Sequence, residues 1–473
     1  MRIVVISAFK EGFGGGSGRV AHDMARRFAL EHDVALICPG KRTGLRVVGN
    51  GLQIWQIQST GEGHVSIPRL SLKNVDAMFD FLDGFAPDVV HAHEPIALSL
   101  MGQIWSKIHR VPFIYTAHVL PSRTADFGAA DVLKLPANAW AESLTQHMLD
   151  DFGTNCDALI ALNDAAMADL AQRRYPGRLF SIPNARDLDT FGACQPADLS
   201  APTKVLTFVG GITERKNQRY LAYVLAHLPD GYRLQLVGDA MDPAYGDEIA
   251  TWAREQGLDD LVLTGPVDYY SIPAILERTH VFVSASKMEV QSLAVIEALA
   301  SGTPVVGLAN ETVDELVDEE VGCRLDAAAT PRAFARRVQS ICSLSQTDYE
   351  RLCDHARQRV AHLSWSQVQD LTVDAYQAVL SEYTVDAGRR ASQLDEILLT
   401  IQTPEIRDAL RERVERFNRA FHETVRPQSR LEWVRMTPES RRVPMSTWFY
   451  VTLTRLASST LSFLWRSARL LRP

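Results

Sequence analysis

Six cysteines in 473 residues, none in a C-x-x-C pair, leave little room for metal or disulfide chemistry. Cys38, Cys156, Cys194, Cys323, Cys342 and Cys353 are scattered, so neither a zinc-site spacing nor a disulfide framework can be written for them. Reduced thiols in a cytosolic protein are expected. A signal-peptide start is lacking as well, since Met1 to Ile6 reads at once as a buried strand. There is no repeat of solenoid length and no low-complexity block, which removes repeat arrays and long disordered tracts. Lysine is missing after Tyr383. That tail holds sixteen arginines against ten acidic residues, so it carries +6, and the rest of the chain carries −14 of the net −8. A basic tail on an acidic body points to an anionic partner, a membrane surface or nucleic acid.

The chain is too long for one ordinary domain, and its 46% hydrophobic and 22% charged residues fit a soluble globular protein. Short apolar runs alternate with segments of helical period. In the first half the strands are expected at 3–7, 34–38, 89–92, 113–117, 158–162 and 180–182. Val20, Met24 and Phe28 line one face of a helix between the first two. The pattern restarts at 205–209, 234–237, 261–264, 281–284 and 304–307, after a Pro-containing linker at 193–203. Near-continuous apolar strands separated by helices mean parallel sheets covered on both faces. The expected class is therefore α/β, with two Rossmann-like doubly wound domains at 1–192 and 193–364 facing across a cleft. A helix at 365–382 is expected to close the second domain, followed by an Arg-rich helical tail at 383–473. Ligands of such sheets sit beyond the carboxyl ends of the strands.

The most informative stretch runs from Val281 to Val306. A strand ends near Ser284, a loop carries Glu289, and a helix starts near Gln291 or Ser292 and holds Glu297 before stopping at Gly302 and Pro304. The free amides and positive dipole end of that helix suit a diphosphate. Two glutamates eight positions apart, taken alone, are read as well as solvated helix charges.

In context, the apolar strand, Glu289, Glu297 and the Ala298-to-Val306 run resemble the signature of glycosyltransferase family 4. The resemblance covers Met1 to about Leu380. It is carried also by Phe13 to Gly16 after the first strand, Asp88 to His93, Pro112 to His118, Ser181 to Asn184, Phe208 to Gly210 and Leu236 to Asp239. It implies a GT-B fold and retaining, metal-independent transfer from a nucleotide sugar. Carried over by position, Gly15 and Gly16 lie against the donor phosphates and the acceptor, and Lys216 with Arg215 holds the diphosphate, where negative charge builds as the glycosidic bond breaks. Glu289 and His118 are the implied catalytic residues, Glu289 on the transferred sugar and His118 at the sugar end, on a donor hydroxyl or the acceptor. Ser292 and Leu293 contribute to the donor site, and Glu297 takes the ribose.

Two departures stand out. The family's Val-Gly-Arg is Val209, Gly210 and Gly211 here, so one phosphate-binding arginine is missing, and Arg215 is its candidate replacement. The common Glu-Gly-Phe-Gly-Leu is Glu289, Val290, Gln291, Ser292 and Leu293, where Ser292 keeps an amide but adds a side chain near the phosphates. The Asp187-x-Asp189 pair mimics a metal-binding motif outside its usual context and reads as a surface turn. No metal and no cofactor is expected beyond the substrate nucleotide sugar.

The tail bears on the acceptor. At 446–472, Phe449, Leu453, Leu456, Phe463 and Leu464 fall on one helical face, and Arg455, Ser459, Arg466 and Arg469 on another. With Trp448 and Trp465 this is the composition of a helix lying in a membrane plane. Arg455 and the serines interrupt an apolar run barely long enough to span. The alternative is a helix packed on the enzyme's own surface or in a dimer interface. A lipid acceptor such as diacylglycerol, glucose from UDP-glucose, and a cytoplasmic enzyme peripheral at an anionic inner plasma-membrane face are expected. Residues after Thr116 and Asn155 look like those of bacterial diacylglycerol glucosyltransferases. The competing readings are a soluble transferase acting on a polysaccharide, isoprenoid phosphate or small molecule, a nucleotide-sugar epimerase, and an inactive binding scaffold. Nucleic acid is not expected, because the arginines are interleaved with acids.

Overall fold

The computed structural model describes residues 1–11, 16–60, 67–69, 71–123, 146 and 149–402. The first domain contains β1 (Arg2–Ile6), α1 (Gly16–Phe28), β2 (Asp33–Gly40), β3 (Gly44–Val48), β4 (Leu52–Thr60), β5 (Ile67–Pro68) and α2 (Leu72–Phe85). It continues with β6 (Val89–Ala92), α3 (Ala97–His109), β7 (Phe113–Thr116), β8 (Ala158–Ala161), α4 (Asp164–Arg173) and β9 (Arg178–Ser181). A short helix, α5 (Leu188–Gly192), leads out. The second domain contains β10 (Lys204–Val209), α6 (Gln218–Leu225), β11 (Tyr232–Val237), α7 (Pro243–Glu255), β12 (Leu261–Gly265), α8 (Ile272–Glu277) and β13 (Val281–Ser284). Then come α9 (Leu293–Ala300), β14 (Val305–Leu308), α10 (Glu311–Leu316), β15 (Gly322–Leu325), α11 (Pro331–Cys342) and α12 (Gln346–Val360). The last described helix is α13 (Trp365–Gln402).

Each domain is built on one sheet. The first runs β3-β4-β2-β1-β6-β7-β8-β9, with β5 also on β4, and the second runs β12-β11-β10-β13-β14-β15. All pairings are parallel except the antiparallel β3 and β5 on β4. In both sheets the chain starts in the middle and winds outward in both directions, so each has a switch point, at β1/β6 and at β10/β13. The central strands are buried on both faces because helices cover both, which is why Ile3 to Ile6 and Val281 to Val283 are apolar without alternation.

The eleven apolar runs expected to be strands all fall on strands. The structure adds β3, β4, β5 and β15. Strand β3 gave no signal because Leu45 and Val47 lie exposed on an edge, with neither alternation nor burial.

Helix α13 differs from expectation in two ways. It continues past residue 382 to Gln402, with no proline between Trp365 and Pro404 to stop it. It also packs on the first domain rather than closing the second. Trp365, Val368, Ala375, Tyr376 and Val379, which share one helical face, join the cluster containing Ile3, Phe28 and Leu36. Each such buried side chain contributes about 2 kcal/mol relative to exposure. The chain thus leaves the first domain beside the point where it returns, and the backbones of Arg186 and Ser364 bridge there. Among the described residues no helix is long and apolar enough to cross a membrane. The segment 403–473, with Trp448, Phe449, Arg455, Phe463, Trp465, Arg466 and Arg469, lies outside the described residues.

Candidate active site

The loops that follow β1, β6, β10 and β13 leave the two switch points on the sides that face each other. One close approach joins two helix N-termini. A Cβ placed on Gly16, the first residue of α1, would lie 3.2 Å from Leu293 Cδ1, the first residue of α9. A side chain at this position would press on the tip of Leu293. Amide-rich, positively polarised helix starts from both domains therefore share one small volume, suited to an anion. Gly15 lies outside the described residues.

Cations flank this volume. Arg215 and Lys216 lie in a 3-10 turn after β10. The Lys216 ammonium contacts Glu289 Oε1, and Arg215 stands 3.8 Å from Oε2 of the same carboxylate while donating to the Met288 carbonyl at 3.0 Å. Burial pushes Glu289 up, but Lys216 and Arg215 outweigh it and hold the carboxyl below its usual range. Burial draws Lys216 down in spite of Glu289. The residues assigned to phosphate and to sugar are thus brought into direct contact. The place of the missing family arginine is taken as well. A Cβ at Gly211 would sit 2.5 Å from Met241 Sδ, so the Met241 side chain lies where a longer residue would begin.

Glu297 lies one turn inside α9 and is almost fully buried. Its Oε1 accepts from the Tyr269 hydroxyl at 3.1 Å and lies 3.3 Å from Arg186 Nε. Burial raises its pKa against the pull of Arg186. Both contacts fall on one oxygen, and Oε2 is the oxygen left for a ligand hydroxyl. Arg186 itself is 1% exposed and reaches Asp23 of α1 at 3.2 Å on its other side, so it ties the two domains together. The Arg19 guanidinium stacks 3.7 Å over the Tyr269 ring across the same boundary. Asp187 pairs with Arg27 at 2.9 Å.

One expectation is corrected by hydrogen bonding. The Ser292 amide does not face the diphosphate volume, because it donates to Thr312 Oγ1 at 2.7 Å. Thr312 is the second residue of α10, whose start Asn310 caps by accepting from the Thr312 and Val313 amides. The α9 end is consequently presented from Leu293 onward.

His118 follows β7 and lies partly buried. Its Nε2 is 3.0 Å from Nδ1 of His93, which stacks in turn on His91 with centroids 4.6 Å apart. His91 is held between the Tyr376 hydroxyl at 2.6 Å and Thr116 Oγ1 at 2.7 Å. Burial lowers His91 and His118 to about 3, and His93 well below its ordinary value, so all three imidazoles are neutral.

The departures Val290 and Gln291 dock the site loop on the first domain. Val290 and Met288 belong to the apolar cluster of Val90, Phe113 and Leu159. Gln291 accepts from the Asn184 amide at 2.6 Å and donates to the Leu162 carbonyl at 3.0 Å, while Asn163 donates to the Val290 carbonyl at 2.6 Å. Arg123 adds an ion pair to Glu311 at 2.5 Å, and the Glu311 carboxylate accepts from the Glu289 amide at 3.2 Å.

Comparison with known proteins decides the family. The pattern of Glycosyltransferase Family 4 matches residues 14–190, and that of Glycosyl transferases group 1 matches residues 203–343. Together they cover about two thirds of the chain, one on each domain. The chain belongs to the family 4 glycosyltransferases. This glycosyltransferase is 26% identical over 326 residues to D-inositol 3-phosphate glycosyltransferase of Mycolicibacterium gilvum, covering 65% of this chain and 70% of the relative. It is 25% identical over 411 residues to the GDP-mannose-dependent alpha-mannosyltransferase of Mycolicibacterium smegmatis, 82% of this chain and all of that one. Among solved structures, sucrose-phosphate synthase from Thermosynechococcus elongatus superposes with a TM-score of 0.65 at 19% identity, over 81% of this chain and 100% of that one. Anabaena HepE in complex with UDP and glucose gives 0.63 at 17%, over 80% and 100%. Both have the same GT-B architecture, and the glycosyltransferase is a hexosyltransferase.

Three residues of this glycosyltransferase carry site geometry that sequence reasoning passed over. Arg186, two positions after Asn184, carries no local signal that distinguishes it from a surface arginine. His93 was noted only as part of a strand-end match. Glu94, directly after it, is buried with Oε2 accepting from the Ala8 amide at 2.8 Å and Oε1 without a hydrogen-bond partner among the described residues. Burial pushes its carboxyl up to about 7 against the lowering effect of the Ala8 and Ser17 hydrogen bonds. The available signal is position for two of them, since His93 and Glu94 directly follow β6.

Proposed function

We propose that the chain transfers a hexose, with retention of configuration, from a nucleoside diphosphate sugar to a hydroxyl of a membrane lipid. The observation that carries the donor half is the contact of Gly16 with Leu293, which sets two helix N-termini against each other beside Lys216 and Arg215. A diphosphate there meets both helix ends and two cations, and these stabilise the charge that grows on the leaving group. The positive charge comes from protein side chains, so metal is not required in this reading. Glu297 Oε2 takes a ribose hydroxyl, and Glu289 and His118 face the sugar.

The acceptor half rests on the sequence of the tail, whose basic amphipathic 446–472 segment suits an anionic bilayer. UDP-glucose and diacylglycerol are the proposed pair, at the inner face of the plasma membrane. A second reading is favoured by the relatives, whose names specify inositol 3-phosphate as acceptor or GDP-mannose as donor. In it the acceptor is a soluble polyol phosphate.

Full-length protein is incubated in EDTA with labelled UDP-glucose or GDP-mannose, and with diacylglycerol in anionic vesicles or inositol phosphate in solution. Label from UDP-glucose in the lipid extract, lost in Glu289→Ala and Lys216→Ala, supports the first reading. Label in a water-soluble product supports the second. No transfer from any donor sinks the catalytic assignment for these substrates.

A further inference from the structure

The proton positions in the histidine column follow from which nitrogens have partners. A neutral imidazole carries one N–H and one lone pair. His93 is fully buried, its Nδ1 faces His118 Nε2 at 3.0 Å, and its Nε2 has no hydrogen-bond partner among the described residues. A buried N–H without an acceptor costs more than a buried lone pair without a donor. The His93 proton therefore sits on Nδ1 and is donated to His118 Nε2.

The consequence falls on His118. Its Nε2 lone pair is filled by His93, so its own single proton is on Nδ1, the nitrogen away from the column. We propose that His93 is a positioning residue that fixes the tautomer of His118, so that His118 donates one hydrogen bond through Nδ1–H to an oxygen of the bound sugar and has no lone pair to serve as a base. His91, clamped between Tyr376 and Thr116, is the wall against which His93 stacks. Helix α13, through Tyr376, thereby supports the sugar end of the cleft from the back of the sheet. The proposal rests on the reading of His118 as a substrate-binding residue.

Selective 15N-histidine NMR on the full chain reads the tautomer directly, with His118→Ala assigning the signal. The expected state of His118 is Nδ1–H with an unprotonated, hydrogen-bonded Nε2. His93→Phe keeps a ring in the stack but removes the donor, and His118 should shift toward Nε2–H. Turnover should fall about tenfold, with donor KM changed less than twofold. His93→Asn, which can place its amide N–H near the position of Nδ1, should recover most of the loss. In a His118→Ala background His93→Phe should cost nothing further.

An Nε2–H His118 in the unmodified protein overturns the proposal even if His93→Phe fails to fold. So does an undiminished His93→Phe effect in the His118→Ala background, which would mark His93 as merely structural. A His118→Ala protein with full turnover removes the substrate-binding reading itself, and the proposal with it, whatever tautomer is seen.

Discussion

Lys216 and Arg215 hold the two oxygens of the Glu289 carboxylate, one cation on each. Three charges that the proposed function assigns to different parts of the donor thus neutralise one another within the protein. Removing Glu289 leaves two cations facing each other without their carboxylate, and removing Lys216 leaves the buried carboxylate with Arg215 alone, at 3.8 Å. Glu289→Ala and Lys216→Ala should each lower stability by about 3 kcal/mol, and the double variant should lose less than the sum. Denaturant unfolding measures this, and additive losses would show that the pair is not coupled. Transfer should fall on the order of 10²-fold in each single variant.

Gly16 is needed for space rather than for its backbone freedom. A methyl group there meets only the tip of Leu293, which must yield by a few tenths of an ångström. Gly16→Ala should reduce kcat/KM by about tenfold and Gly16→Val much more, both with an unchanged circular dichroism spectrum. Leu293→Ala should restore part of the Gly16→Ala loss. An equally damaging Gly16→Ala in both backgrounds would place the harm elsewhere.

Gln291 ties the site loop to the first domain through the Asn184 amide and the Leu162 carbonyl. Gln291→Ala abandons both backbone groups and should cost about 2 kcal/mol. The sharper readout is hydrogen exchange. Protection should drop at the Asn184 amide, whose acceptor is gone, and across 288–292, while β13 and β14 stay protected. Unchanged exchange at Asn184 would mean that the loop is held by Val290 and Asn163 alone.

Much of this arrangement could be read from the residues in order. Central parallel strands announce themselves as unbroken apolar runs, and the Glu289-to-Glu297 segment carries its strand, loop and helix start in its own composition. What could not be read depends on chain segments that meet only in three dimensions. Arg186 becomes an interdomain tie because Asp23 and Glu297, far apart in sequence, close on it. Tyr376 reaches His91 because α13 returns to the first domain, and nothing local to either residue says so. The loss of the Ser292 amide to Thr312 likewise follows from how α10 packs. The family's second glycine alone would suggest a free amide there.

Glu94 gives the pH dependence a definite sign. Its folded value is about 7, above the ordinary 4.5, because burial raises it and the Ala8 and Ser17 hydrogen bonds only partly oppose that. Between those two values the folded chain holds a proton that the unfolded chain has released. Stability must therefore fall as pH rises through this window, and the loss is complete above about pH 7. The size is at most about 3 kcal/mol from the width of the window. Glu94→Gln keeps the shape and the acceptor for the Ala8 amide but cannot ionise. Denaturant unfolding from pH 5 to pH 8 should show the unmodified protein losing stability relative to Glu94→Gln. Parallel curves would mean that Glu94 is ionised throughout, with a counter-charge supplied from the loop between β1 and α1. If the curves diverge, the buried acid sits directly behind Ser17 and the first turn of α1. Transfer should then weaken toward alkaline pH in the unmodified protein, and less so in Glu94→Gln, since an ionised Glu94 would repel the diphosphate that the same helix end receives.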